Sequence, residues 1–336
     1  MYLHEHYIGL YQADNTTGTA IAIIVKDVLC HHDLSLSKLR AQIHDGAANM
    51  AGKYHGTQAL IGQEQLLALY IRCGAHCTNL GMQAVARKYS IMEDALLYVQ
   101  ELANLVGQSM PRCTIFSDPI QHSIEGPTNV LQIKPLCPTH WMVQVKAVQK
   151  VLNSYDPILE NLEQLSTSKS SSDVSIRARG LLAYFQRGTT FLGLQIALKV
   201  LQLLECLNIA MQGCQQTASG LLAAMNVAKS AIIKFCSDEP FGSVLDFANH
   251  MTAKCHLNAS EVPQLQHIPK LINDGATEIF HSATIRDYYH LQNSELLDAV
   301  SLHLTQSFNQ EGIQTYAKFE QVLLTGNGMD YIAQYK

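Results

Sequence analysis

Short apolar stretches of two kinds alternate through the first hundred residues. Residues 7–11, Tyr-Ile-Gly-Leu-Tyr, form a brief run rich in β-formers. Asp14-Asn15-Thr16-Thr17 then offers N-cap chemistry ahead of an apolar series at helical spacing: Ile21, Ile24, Val25, Val28 and Leu29. The pattern predicts a strand followed by a helix. Residues 40–44 read as a weaker extended stretch running into Asp45-Gly46, 57–64 as helical, 67–73 as a third strand and 76–89 as another helix. Repeated units of this kind predict a sheet covered by helices. From about Ile91 the strand signals cease. Helical spacing covers 91–106, 141–165, 174–186, 192–211, 217–235, 286–308 and 313–324, with a proline-punctuated connection over 111–138. Linkers are predicted near 166–173, which is rich in serine, and over 257–277, which holds Pro263 and Pro269. The reading is an α/β part, 1–110, followed by an all-α part, 111–336, predominantly helical overall.

Composition sharpens this. Only 15% of the 336 residues are charged while 47% are hydrophobic, so most elements must be buried on more than one side. Lys and Arg number 23 against 28 Asp and Glu, a formal charge of −5, which excludes holding nucleic acid by bulk electrostatics and leaves only weak, local DNA contact. Nine cysteines, odd in number and without paired spacing, read as reduced thiols inside a cell. The first residues resemble no leader and no apolar run approaches a membrane span, so a soluble protein is expected, with no membrane partner and no small-molecule substrate.

Four features are candidates for chemistry. Asp45, directly after a strand and before a glycine, sits where metal-binding carboxylates occur in α/β folds, although Asp-Gly is equally a turn dipeptide. Cys73-Gly74-Ala75-His76-Cys77 presents two or three zinc-type donors, short of the four a structural site needs; a buried cysteine and a helix-starting histidine are the alternative. Glu205 shares helical offsets with Leu198, Leu201 and Ile209 and so projects from an apolar stripe, unless it escapes to water through a gap. Trp141, the single tryptophan, follows His140 at the start of an amphipathic helix, as a packing anchor or as a stacking platform for a base.

Taken in order, Asp45-Gly46-Ala47-Ala48-Asn49-Met50-Ala51-Gly52-Lys53-Tyr54-His55-Gly56, Cys73-Gly74-Ala75-His76-Cys77-Thr78-Asn79-Leu80, Pro138-Thr139-His140-Trp141, Pro269-Lys270 with Asp274-Gly275-Ala276, and Asp287-Tyr288-Tyr289 resemble the hAT-superfamily transposases. The nearest branch is that of zinc finger MYM-type protein 1 and its relatives. The resemblance implies an RNase H-like domain interrupted by a helical insertion, and a nuclear location. In active members, three acids hold two divalent ions, magnesium or manganese, for in-line attack on a phosphodiester. By this resemblance Asp45 is the second acid and Glu205 matches the third, Cys73 and His76 form the family's Cys-x-x-His signature, and Trp141 stacks on a displaced base.

Two departures shape the expectation. The family's first acid lies on a strand upstream of the one matched by 7–11, and neither Glu5 nor Asp14 replaces it by position. The arginine before the family's tryptophan is His140 here, a weaker phosphate ligand at neutral pH. The expectation is a domesticated or decayed transposase, catalytically inactive, with no resident cofactor and at most a weak metal site at Asp45 and Glu205. The alternative is an active nuclease subunit completed by upstream sequence or a partner chain. A sheet short of its leading strands is also expected to expose an edge to a protein partner or a second copy.

Overall fold

Helix formation starts where the N-cap chemistry predicts it. In a computed structural model of the chain, which describes residues 4, 6–107, 141–167, 172–213, 217–262 and 284–326, the Thr17 hydroxyl accepts the Ala20 N–H at 3.3 Å and opens α1 (Gly18–His31). Strand β1 (Ala41–His44) follows, then α2 (Ala48–Ala51), α3 (Thr57–Glu64), β2 (Leu69–Arg72), α4 (Gly74–Lys88) and α5 (Ser90–Gly107). Beyond them, among the described residues, every further element is a helix: α6 (Trp141–Asn153), α7 (Tyr155–Thr167), α8 (Ser172–Phe185), α9 (Gly188–Leu203), α10 (Glu205–Gln212), α11 (Ala218–Phe235), α12 (Asp238–Lys254), α13 (Ile285–Phe308) and α14 (Glu311–Thr325). The protein is thus predominantly helical with a small parallel α/β element, the class its sequence predicts.

The differences from expectation are local and have physical causes. Residues 7–11 form no strand: among the described residues no strand pairs with them, the His32 ring being their hydrogen-bond partner from outside the run, and Tyr7 and Leu10 are 79% and 92% exposed. Two of the long predicted helices are interrupted, at Ser154 and at Leu204, where the Leu204 N–H turns back to the Leu201 carbonyl at 3.3 Å. Helix α12, unforeseen from apolar spacing, carries Asp238 and Glu239 in its first turn and Lys254 in its last, the charge order that suits the helix dipole. Of the predicted linkers, Ser166 and Thr167 still belong to α7, and 168–171, 263–277 and the 111–138 connection lie outside the described residues.

The chain divides into two compact units, each drawn from separated stretches. One comprises 1–82, 206–229 and 302–336; the other comprises 83–205 and 230–301. In the first, β1 and β2 pair in parallel, with Ala41 opposite Leu69 and His44 opposite Arg72. Helices α1 and α3 meet over Ala22, Ile61 and Ala68, with Val25, Leu36, Leu39 and Leu60 packed around them. The Gln42 amide, buried on the α3 side of β1, donates to the carbonyls of Gln58 (3.1 Å) and Ala68 (3.3 Å), so a polar strand residue satisfies the helix's own backbone.

In the second unit, α9 is the central helix. Its residues are buried on nearly every side, which is why its sequence is apolar all round rather than amphipathic. Gly193 lets α9 cross α5 closely, since a Cβ there would lie 2.8 Å from the Ile91 carbonyl oxygen. Tyr155 fixes the start of the same helix: its ring meets Phe191 edge-on at 4.9 Å and its hydroxyl donates to the Phe185 carbonyl at 2.8 Å.

Candidate functional site

The carboxyl ends of parallel strands are where α/β folds place ligands, because loops and helix starts converge there. Asp45 occupies that position at the end of β1, and Cys73 at the end of β2. The last rung joins them, the Cys73 N–H donating to the His44 carbonyl at 2.7 Å. Asp45 is exposed. Its Oδ1 accepts the Ala47 N–H at 3.1 Å, closing a side-chain turn, and its backbone carbonyl accepts the Tyr70 hydroxyl at 3.2 Å. The turn chemistry of Asp45-Gly46 therefore lies in the aspartate side chain; Gly46 is not among the glycines with left-handed backbone.

Beside Asp45, the half-buried His44 ring stacks on Tyr70 with centroids 6.2 Å apart, and its Nε2 lies 3.2 Å from the Gln42 amide oxygen. Burial lowers the His44 pKa below its ordinary value, against the opposing pull of Asp45, and burial likewise raises that of the Tyr70 phenol. Both groups are held neutral near pH 7.

The glycine-rich run after Asp45 has a packing role. A Cβ on Gly56 would collide with the backbone of Gly52, and one on Gly18 with the carbonyls of His55 and Asn49, so these glycines let the start of α1 lie directly on the 49–56 segment. Thr57, fully buried, donates to the Gly18 and Asn49 carbonyls, both at 3.2 Å, and the Asn49 amide donates to the Thr16 carbonyl at 2.8 Å.

Cys73 and His76 are half-buried at the start of α4. Burial raises the Cys77 thiol pKa, with Arg72 opposing and Cys73 reinforcing, which keeps Cys77 protonated and a poor ligand. Among the described residues no group of three or more His, Cys, Asp or Glu side chains is placed to hold a metal ion. Asp45 alone offers one exposed carboxylate, a weak site for a hard divalent cation.

Glu205 is half-buried and opens α10, after the interruption at Leu204. Leu198 and Leu201 therefore belong to the preceding helix, and Ile209 is 57% exposed, so the three do not form one apolar stripe around the carboxylate. A first-turn glutamate instead complements the positive end of its own helix. Trp141 begins α6, and His140 lies outside the described residues. Asp45, Cys73 and His76 belong to one unit, Trp141 and Glu205 to the other.

Sequence reading missed the residues that cover the outer edge of β2. The Gln310 amide pairs with both backbone groups of Arg72, accepting its N–H at 2.7 Å and donating to its carbonyl at 3.4 Å, as a neighbouring strand would. Gly312 brings α14 against the same edge, where a Cβ would lie 2.7 Å from the Tyr70 carbonyl oxygen. Below this, His303 occupies the space left by Gly81, with Nε2 3.0 Å from both the Cys77 carbonyl and the Ser307 hydroxyl.

Residues 1–56 match the family model described as ZMYM1/FAM200, RNase-like domain (DUF4371), a span that includes α1, β1, Asp45 and the glycine run to Gly56. This part of the chain is similar to the RNase-like domain of those transposase-derived proteins. No solved structure matches the chain. Among the described residues, no single helix is long and apolar enough to cross a membrane.

Proposed function

We propose that this chain is a transposase-derived protein that has lost phosphodiester transfer and persists as a nuclear module associating with protein or with DNA. The reading starts from the similarity of residues 1–56 to an RNase-like domain. The observation that carries the loss of catalysis is the state of Asp45. Its carboxylate closes a local turn through the Ala47 N–H, and among the described residues no group of acids and other donors gathers for a metal. A two-metal mechanism needs carboxylates shared between both ions; a lone exposed one holds neither in place. Glu205, matched to the third acid by resemblance, serves its own helix start in this reading.

The active reading retains one argument: Asp45 stands exposed at the carboxyl end of β1, a position suited to a ligand. Incubating the full chain with a labelled DNA oligonucleotide and magnesium or manganese decides between them. The proposal expects no cleavage above background and no difference between the parent and Asp45→Ala. Metal-dependent cleavage that disappears in Asp45→Ala would establish the nuclease reading instead.

A further inference from the structure

A cavity of about 1,020 Å³ is lined, among the described residues, by the second unit alone. Its floor is built by an isolated bridge. The Gly188 N–H donates to the Asn258 carbonyl at 2.7 Å and the Asn258 N–H to the Gln186 carbonyl at 2.8 Å, which pins the stretch after α12 across the start of α9. Glu261 of that stretch, Asp94 of α5, and Tyr288 and Tyr289 of α13 all line the cavity. The Asp287-Tyr288-Tyr289 run thereby divides its work. Asp287 belongs to the cap of α13, where the Thr284 hydroxyl accepts the Asp287 N–H at 3.1 Å and donates to its carboxylate at 2.7 Å, while both tyrosines line the cavity.

The walls are aromatic and the charge is acidic. The lining Tyr98 stacks on Tyr184 with centroids 4.3 Å apart, and the guanidinium of the lining Arg187 lies 4.9 Å from the Tyr184 centroid. Tyr288 meets Tyr289 edge-on at 5.0 Å, and the Tyr289 hydroxyl is committed to the Glu261 carbonyl at 2.6 Å. Burial raises the pKa of both the Tyr98 and Tyr289 phenols, so neither contributes charge. That leaves two carboxylates, Asp94 and Glu261, against Arg187, the one Lys or Arg among the described lining residues. Arg187 is drawn toward Asp94, whereas the Glu261 side chain forms no ion pair among the described residues. Arg187, a lining residue, shows related chemistry: its guanidinium lies over the ring of Tyr184, which stacks on the lining Tyr98, and interacts electrostatically with Asp94.

We propose that this cavity binds a basic side chain, the ammonium or guanidinium of a lysine or arginine on a partner peptide, with Glu261 as its counter-ion and the faces of Tyr288 and Tyr98 as its walls. The acidic excess disfavours a phosphate group at the same place, and the cavity is larger than one side chain requires, which leaves room for flanking peptide backbone.

Fluorescence anisotropy with the full chain tests this, using three labelled decapeptides: alternating Arg-Gly, alternating Lys-Gly, and the Lys-Gly peptide with every lysine acetylated. Saturable binding is expected for the first two and none for the third. Glu261→Gln, a near-isosteric change at an exposed residue, is expected to weaken binding about tenfold, and Tyr288→Ala by a similar factor. Glu160→Gln and Glu163→Gln remove the same charge from exposed positions on α7 outside the cavity and are expected to leave binding unchanged. Thermal melts of every variant separate loss of binding from loss of fold. Equal weakening by the α7 controls would reduce the effect to overall charge and overturn the proposal. So would absence of saturable binding, or a labelled oligonucleotide whose binding is lost in Glu261→Gln.

Discussion

At the scale of single residues, the clearest imbalance is Asn293. It is completely buried on α13, and among the described residues neither its amide nitrogen nor its amide oxygen has a hydrogen-bond partner. A buried amide left unpaired keeps its full desolvation cost, about 1–3 kcal/mol, and an apolar side chain of similar size removes that cost without opening a void. Asn293→Leu is therefore expected to raise stability by about 1–2 kcal/mol, read as a higher midpoint in urea with an unchanged slope. A lower midpoint would mean that the amide has a partner in solution, and would make Asn293 a polar anchor. What the sequence disclosed at this scale was whatever acts over a few positions. Thr17 as an N-cap is legible because its partner is Ala20, and Asp45 as a turn residue because its partner is Ala47. Gln310 on Arg72 and His303 in the space above Gly81 are not legible: their partners lie more than 200 positions away, and no local spacing signals an amide acting as a strand or a glycine kept empty for an imidazole.

The same division governs the elements. The bounds of α11 and α13 follow the helical spacing of the sequence closely, because burial on one stripe, as at Tyr289, Leu296, Val300 and Leu304 of α13, writes itself into consecutive turns. Interruptions at Ser154 and Leu204 leave no such mark, since a helix can break and restart without changing which residues are apolar. The run at 7–11 has strand composition but no ladder, and composition without a partner does not make a strand. Strand β1 shows what that partnering decides. The rungs from Leu69 to the Arg40 carbonyl and from Cys73 to the His44 carbonyl fix the phase of the parallel ladder, so the backbone groups of Gln42 and His44 face β2 while those of Ala41 and Ile43 face outward. The outer edge of β2 is covered by Gln310 and Gly312; that of β1 has no strand on it among the described residues, and Ile43 is 62% exposed there. An open edge bearing an apolar side chain is a template for a second copy, and a lysine at that position is the usual remedy. Ile43→Lys is expected to shift sedimentation at micromolar concentration toward the monomer without lowering the melting temperature. An unchanged distribution would show that this edge takes no part in self-association.

For the molecule as a whole, that edge and net charge would act on any association between copies in different ways, and pH separates the two contributions. The chain carries −5 at pH 7 with its histidines neutral, and its composition places the isoelectric point near 6.3. Repulsion between copies vanishes around that pH, so light scattering is expected to peak close to 6.3 and fall again as further protonation makes the chain cationic. His44 acts in another sense. Burial lowers its folded pKa beneath the ordinary 6.5, so the unfolded chain binds the proton more readily; its contribution to stability is complete above pH 6.5 and is lost as pH falls through the depressed value. Charge-driven association should thus recover on the acid side of the peak, whereas unfolding around the sheet tip should not. Replacing His44 by glutamine is expected to flatten the loss of melting temperature below pH 6.5 while leaving the scattering peak in place. If scattering instead climbed steadily down to pH 5 in the parent and stayed low in His44→Gln, exposure of the tip on unfolding, not loss of net charge at the folded surface, would be what drives the copies together.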